Sequence, residues 1–89
     1  MEAEWDPLKA RLNLSKHRVR FADALTALED ERAITVRDER QDEERWITIG
    51  TDSMARLLVV VYTWRDERLR LISARRATPK EAGQYEKGI

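Results

Sequence analysis

The fold is decided by residues 57–75, LLVVVYTWRDERLRLISAR. Leu57 to Trp64 is apolar on both faces and rich in β-branched residues, as a central strand is. Asp66 and Glu67 make a turn, and Arg68 to Arg75 is a strand whose first half alternates arginine with leucine. The segment therefore predicts two neighbouring strands of one sheet.

Two further strands are predicted upstream by their period-two alternation, at Ala33 to Arg37 and at Arg45 to Thr51. A polar loop over residues 37–44 joins them, and residues 52–55 make the next turn. Acidic residues concentrate in that loop, which is more typical of a hydrated loop than of a metal site. Residues 2–5 form a short extended opening.

The capping residues at its N-terminus predict the first helix. Asp6 can cap the free amides and Pro7 suits the first helical position, so the helix runs from there to about His17. Leu8 and Leu12, one turn apart, give it an apolar stripe.

Two more helices complete the prediction. Apolar residues recur at i, i+3, i+4 and i+7 from Phe21 to Leu28. Thr78 to Glu81 is a capping box, so the last helix runs from Pro79 to about Lys87. The order predicts a single α+β domain over residues 1–89, an antiparallel sheet packed with two N-terminal helices and a short C-terminal helix.

Composition excludes several classes of protein. The 89 residues include no cysteine and one histidine, which excludes a disulfide framework, a thiolate metal site and a His-rich zinc site. The longest apolar run, Leu57 to Tyr62, is far shorter than the roughly 20 residues that span a bilayer, and the acidic N-terminus is not a secretory signal. We expect a cytoplasmic protein with no membrane partner, metal or cofactor.

The charge balances in total but not along the chain. Lys and Arg number 17, as do Asp and Glu, and a neutral domain is not typical of nucleic-acid binding. Residues 21–45 carry nine acidic and four basic groups, whereas residues 46–89 carry eight basic and five acidic ones. Arginine dominates the basic set, and its planar fork binds phosphate through two hydrogen bonds. A codon bias toward arginine would explain the same set.

One polar cluster lies on the first helix. Lys9, Asn13 and His17 are spaced i, i+4 and i+8, with Lys16 beside them, so they share a face. Lys9 lies in the first turn, where the helix dipole disfavours a cation. The structural alternative is that Lys9 pairs with Asp6 or Glu43 and that His17 closes the helix end.

A second cluster lies on the last strand, where four arginines fall within nine residues: Arg68, Arg70, Arg75 and Arg76. Glu44 and Arg45 begin a strand expected nearby. Such a set suits phosphoryl chemistry on RNA, in which a base takes the 2′-hydroxyl proton, arginine stabilises charge on phosphorus, and an acid protonates the leaving oxygen. The alternative is a solvated sheet face with cross-strand ion pairs.

Several segments resemble the signature of BrnT-type toxins, the DUF497 family. The N-terminal part is Trp5-Asp6-x-x-Lys9 followed by Asn13-x-x-Lys16-His17-x-Val19-x-Phe21. The later parts are Glu44-Arg45-x-x-x-x-Gly50, the strand over residues 57–62, and Arg70-Leu71-Ile72-Ser73-Ala74-Arg75-Arg76-Ala77-Thr78-x-x-Glu81-x-x-x-Tyr85. The resemblance covers nearly the whole chain, and residues 72–78 are its most specific part.

The resemblance implies a RelE-like fold and the toxin half of a type II toxin–antitoxin pair, a metal-independent ribonuclease that arrests translation. The active-site positions it implies are Lys9, His17, Glu44, Arg45, Arg70, Arg75 and Tyr85. Lys16, Arg68 and Arg76 are expected to add RNA contacts. Arg18 stands where the family usually has a glycine, which predicts a helix end that arginine adopts at some cost.

The implied partner is a BrnA-type antitoxin with a ribbon-helix-helix part, which neutralises the toxin and represses the operon with it. Operator DNA is then bound only through the antitoxin, and a heterotetramer is a possible assembly. The arginine-rich sheet suggests that an acidic or amphipathic antitoxin segment covers the active face and excludes RNA. The alternative function is a non-catalytic RNA-binding module or an antitoxin-binding co-repressor.

Overall fold

The computed structural model describes residues 2–39 and 42–88. Within them, the elements along the chain are β1 (Ala3–Glu4), α1 (Pro7–His17), α2 (Phe21–Leu28), β2 (Ile34–Asp38), β3 (Arg45–Thr51), β4 (Leu57–Arg65), β5 (Arg68–Arg76) and α3 (Pro79–Lys87). The predicted α+β architecture is confirmed, and each predicted helix and strand ends within one residue of its expected bounds. Residues 40 and 41 of the predicted polar loop lie outside the described residues.

The five strands form one sheet in the order β1-β5-β4-β3-β2. The strands β2 to β5 are antiparallel to their chain neighbours, as predicted. The opening strand β1 pairs in parallel with β5, with Ala3 beside Leu69 and Glu4 beside Arg70. The sheet is therefore mixed, and its last strand is flanked on both sides.

The core lies between the sheet and the first two helices. Leu58 and Val60 of β4 and Leu69 and Leu71 of β5 are almost fully buried, together with Phe21 of α2. Because side chains alternate along a strand, the intervening residues point to the other side of the sheet. We call the side covered by α1 and α2 the helix face and the other side the open face.

The apolar stripe of α1 lies on its outer side. Leu8 and Leu12 are 54% and 60% exposed, whereas Asn13 is buried. The Asn13 amide group donates to the carbonyl oxygens of Val19 (3.0 Å) and Ala74 (2.8 Å) and accepts from the Ala74 amide (3.1 Å). It thus satisfies the backbone of β5 beyond the end of β1, so these hydrogen bonds rather than apolar content orient the helix.

A β-bulge sets which arginines share a face of β5. The register passes from Tyr62 beside Leu71 to Val61 beside Ser73, so Ile72 has no partner on β4. Without the extra residue, Arg70 and Arg76 would share a face by simple alternation. With it, Arg75 lies beside Val59 on the open face, and Arg76 lies beside the core residue Leu58.

The hairpin between β4 and β5 offers a stability test. Asp66 and Glu67, between the paired Arg65 and Arg68, both have positive φ, 50° and 69°. A two-residue turn with two positive φ angles favours Asn-Gly. The double change Asp66→Asn and Glu67→Gly should therefore stabilise the fold by about 1 kcal/mol, raising Tm by roughly 4–8 °C in thermal denaturation. An unchanged or lower Tm would show that this backbone carries no strain.

Candidate active site

A row of polar side chains crosses the open face through all five strands. Asp38 of β2 lies beside Arg45 of β3, and Thr63 of β4 lies beside Arg70 of β5, which in turn lies beside Glu4 of β1. The two halves meet because Trp46 of β3 pairs with Tyr62 of β4. The adjoining residues of these strands, Arg45 and Thr63, therefore lie alongside each other on the open face. We call these five residues the charged row, and its centre carries two guanidinium groups.

The two arginines of the charged row flank Thr63. Adjacent strands lie about 4.8 Å apart, so Arg45 and Arg70 are separated by roughly 10 Å at their backbones, with long side chains that can converge. The Thr63 hydroxyl is turned away from them, since it donates to the Glu44 carbonyl oxygen at 2.6 Å. The Arg45 Nε has no hydrogen-bond partner in the described part of the chain, and Arg70 Nη1 lies 3.6 Å from Glu4 Oε1. Each guanidinium carries the paired donors that bind a phosphate group.

An apolar strip borders the charged row. Val36, Ile47 and Val61 are neighbours on β2, β3 and β4 on the open face. Val36 is 55% exposed, and the other two are half-buried. A surface that sets apolar side chains beside guanidiniums suits a single-stranded nucleic acid, whose bases stack while its phosphates pair with cations.

The predicted cations of α1 lie on a helix that packs against β5 from the helix face, on the other side of the sheet from the charged row. Ala10 and Leu14 of α1 face α2, and Asn13 faces β5, so Lys9 and Lys16 lie on the flank turned away from α2. Lys9 is exposed, and its predicted ion pair with Asp6 or Glu43 is not seen. His17 is half-buried at the last helical position.

The end of α1 takes the conformation that the family glycine would supply. Arg18 has φ 61° and ψ 28°, and its amide donates to the Leu14 carbonyl oxygen at 2.9 Å. An arginine therefore adopts the left-handed helix end, which costs more than it would for glycine.

Arg75 is engaged by the C-terminal helix. Its two Nη atoms donate to the two carboxylate oxygens of Glu81, both at 2.8 Å. Glu81 also accepts from the Thr78 amide, which completes the predicted capping box. These hydrogen bonds, with that from Arg75 the largest, lower the pKa of Glu81 to about 2. Arg75 thus ties α3 to the open face, five residues or roughly 16 Å along β5 from Arg70.

Replacing Glu81 with glutamine should destabilise the fold by about 1–2 kcal/mol, because the bidentate ion pair is lost. Since folding lowers the pKa of Glu81, its contribution is complete above about pH 4.5 and declines as the pH falls toward 2. Urea denaturation between pH 7 and pH 2.5 should show a smaller acid loss in the variant than in the wild type. The matched control is Glu86→Gln on the same helix, which changes an exposed carboxylate. Equal acid loss in wild type and Glu81→Gln would contradict this role.

Tyr85 also holds α3 in place. Its hydroxyl donates to Asp30 Oδ2 at 2.5 Å and accepts from Thr51 Oγ1 at 3.3 Å. Burial raises the pKa of Asp30, but the hydrogen bonds from Tyr85 and from the amides of Thr51 and Arg32 outweigh it and leave that pKa below its usual value. Thr51 ends β3 and Arg45 begins it, so Tyr85 contacts the sheet roughly 20 Å from Arg45.

Three other predicted residues lie apart from the charged row. The Glu44 carboxylate pairs with Arg37 at 3.3 Å. Arg37 lies beside Trp46, so the side chain of Arg37 is on the helix face. Arg68 lies on the open face but pairs with Glu2 at 3.4 Å. Arg76 is exposed on the opposite face from Arg75. The strand register thus places Arg45 and Arg70 on either side of Thr63. The side chains of Glu44, Arg75 and Tyr85 pair elsewhere.

Sequence reasoning missed three residues of this region. Glu4 lies in the charged row because β1 pairs with β5, and nothing in the sequence marks a partner 66 positions away. Thr63 stands inside an apolar run, which gave no signal of a polar position on the open face. Asn13 was noted for its helical spacing, which indicated a shared face but not its burial against β5.

Two features are absent from residues 2–39 and 42–88. No group of three or more His, Asp or Glu side chains there could hold a metal ion. No helix there is both long and apolar enough to cross a membrane.

Comparisons with known proteins give a consistent result. The family model described as the ribonuclease toxin BrnT of type II toxin–antitoxin systems matches residues 5–81. Among solved structures, the chain resembles the Brucella abortus ribonuclease toxin BrnT, with 26% sequence identity and a TM-score of 0.66. The match covers 88% of this chain and 97% of the Brucella chain. No curated protein matches the chain.

Proposed function

Because the chain belongs to the family of BrnT ribonuclease toxins of type II toxin–antitoxin systems, we propose that it cleaves RNA on the open face without a metal ion. The observation that carries this proposal is the placement of Arg45 and Arg70 on either side of Thr63. Two guanidiniums can hold one phosphate and stabilise the negative charge that grows on it in the transition state. This is the electrostatic work that a metal ion performs in other nucleases.

The proposed reaction is transfer of the phosphoryl group to the neighbouring 2′-oxygen. A general base takes the proton of the 2′-hydroxyl, the 2′-oxygen bonds to phosphorus, and the bond to the 5′-oxygen breaks. An acid donates a proton to that leaving oxygen, which yields a 2′,3′-cyclic phosphate and a 5′-hydroxyl. Glu4 is the carboxylate paired with Arg70, which supports it as the base. The structure assigns no acid, since Lys9 and His17 lie on α1, which packs on the helix face.

The family description names a toxin–antitoxin system, so the chain has an antitoxin partner. We propose that this partner is a ribbon-helix-helix protein of the BrnA type. The toxin is cytoplasmic and forms a heterotetramer with this antitoxin. Only the antitoxin contacts operator DNA. A segment of the antitoxin that covers the open face would compete with RNA for Arg45 and Arg70. Complementary charge supports this arrangement, since an acidic segment pairs with the same guanidiniums as a phosphate does.

The test is cleavage of a fluorescent RNA oligonucleotide by the purified chain in the presence of excess EDTA. We expect cleavage to persist in EDTA and to leave 2′,3′-cyclic phosphate ends, because the 2′-oxygen is the nucleophile. The matched control is the same oligonucleotide made as DNA, which lacks the nucleophile and should stay intact. Cleavage that stops with EDTA and returns with magnesium would contradict the metal-independent reaction.

The alternative function has one observation in its favour. The side chains of Glu44, Arg75 and Tyr85 are each engaged by side chains outside the charged row. A chain without an assembled acid–base set could bind RNA and leave it intact, acting as an RNA-binding module or as a co-repressor with its antitoxin. Salt-dependent RNA binding without any cleavage in the same assay would decide for this alternative.

A further inference from the structure

The first 20 residues carry a group of cations without carboxylate partners. In the described ranges, no ion pair engages any of the five: Lys9, Arg11, Lys16, Arg18 and Arg20. Six arginines elsewhere pair with carboxylates: Arg37, Arg56, Arg65, Arg68, Arg70 and Arg75. The surface of α1 and the start of α2 are therefore positively charged and free to bind an anionic group.

Two of these cations border an apolar groove on the helix side of the molecule. Trp5, Leu14 and Phe21 line a cavity of about 230 Å³ between α1 and α2, together with Arg11 and Arg20. Its wall is rigid, since the rings of Trp5 and Phe21 are 6.0 Å apart in an edge-to-face contact and Phe21 is buried. The groove can accept one bulky apolar side chain and a carboxylate at each arginine.

Apolar surface continues beside the groove on α1. Leu8 and Leu12 project from the outer side of α1 at 54% and 60% exposure, one turn apart and next to Arg11. Helical leucines so exposed beside an apolar groove are typical of a surface that packs against a partner. Arg20 begins α2 at the N-cap position without a side-chain cap, so the helix start lacks an acceptor that an acidic residue could supply.

We propose that this groove anchors an acidic amphipathic segment of the antitoxin, with an apolar side chain inserted beside Trp5 and Phe21 and carboxylates paired with Arg11 and Arg20. The partner's identity rests on the proposed function. The groove favours a protein over the RNA substrate, because it lies on the far side of the sheet from the charged row, where we place the RNA. Anchoring here is separate from covering the open face, so the two contacts can be broken independently.

The test compares charge reversals at the groove with one elsewhere. The antitoxin probe is the purified product of the reading frame adjoining the toxin gene. Arg11→Glu and Arg20→Glu should each weaken its Kd at least tenfold, because they place like charges opposite one another. Lys80→Glu, an exposed reversal in the first turn of α3, should leave the Kd within twofold. RNA cleavage should stay within twofold of wild type in all three variants.

A second variant fills the groove without changing charge. Ala22 is exposed and lines the groove, so Ala22→Phe should keep the fold, block the inserted side chain and weaken antitoxin binding at least tenfold. Unchanged Kd in Ala22→Phe and both charge reversals would overturn the proposal, as would loss of RNA cleavage with unchanged Kd, which would assign the groove to RNA. Failure of wild type to bind the probe would also overturn it. Cleavage by wild type, measured in parallel, decides the proposed function separately.

Discussion

Replacing Arg70 with glutamine is expected to lower kcat/KM for RNA cleavage by about 100-fold, and the same change at Arg45 should have an effect of similar size. Each substitution removes one of the two guanidiniums that flank Thr63 and leaves the other to hold the phosphate alone. The loss should lie mainly in kcat, because charge on the phosphate oxygens grows in the transition state. Steady-state cleavage of the fluorescent RNA oligonucleotide measures it.

Two control variants separate a catalytic effect from other causes. Arg70→Lys keeps the charge but not the fork, so it should lose roughly tenfold rather than 100-fold. Lys80→Gln removes an exposed cation of α3 away from the charged row and should leave kcat/KM unchanged within twofold. Thermal denaturation should show each variant folded. If Arg45→Gln and Arg70→Gln both cleave RNA like the wild type, the charged row is not the phosphate site.

The bounds of the elements were predictable because they rest on local chemistry. Asp6 accepts from the Leu8 amide at 2.9 Å, and Thr78 and Glu81 form both bonds of a capping box, as the sequence predicts. Capping depends on residues within one turn of each other, so a sequence displays it. The alternation of β3 likewise puts Trp46 and Thr48 on one face and Ile49 on the other, and the strand register agrees.

The orientation of α1 was not predictable, because it depends on a partner far along the chain. The helix buries Asn13 and leaves Leu8 and Leu12 outside, since Asn13 bonds to Ala74 across 61 positions. The side-chain amide of Asn13 satisfies the hydrogen bonds of the β5 backbone at Ala74, and no sequence pattern within α1 indicates this. The parallel pairing of β1, which brings Glu4 into the charged row, was hidden for the same reason.

Part of the candidate site was predictable from the sequence. Arg70 was expected to point away from Leu69 and Leu71, and it does. The bulge at Ile72 then decides that Arg75 rather than Arg76 joins it on the open face, and no glycine or other residue at that point marks a bulge in the sequence. A linear motif that contains both arginines therefore does not show which of them faces the substrate.

The second large effect is expected at Gly50. Gly50 lies on β3 directly beneath α2, and a Cβ added there would lie 2.3 Å from the Ala27 carbonyl oxygen. That atom belongs to the helix backbone, so it cannot rotate away, and α2 must move off the sheet. Gly50→Ala should therefore destabilise the fold by about 3 kcal/mol, lowering Tm by roughly 12–24 °C in thermal denaturation.

The matched control for Gly50→Ala is Gly83→Ala in α3. A Cβ at Gly83 meets nothing within 4 Å, and alanine favours a helix interior by about 1 kcal/mol over glycine. The same change should thus stabilise the fold at Gly83 and destabilise it at Gly50. If the same glycine-to-alanine change raises Tm at Gly83 and lowers it at Gly50, the close contact with Ala27, and not the backbone freedom of glycine, is what requires Gly50. If Gly50→Ala has the Tm of the wild type, α2 packs farther from β3 than the 2.3 Å between the added Cβ and the Ala27 carbonyl oxygen implies.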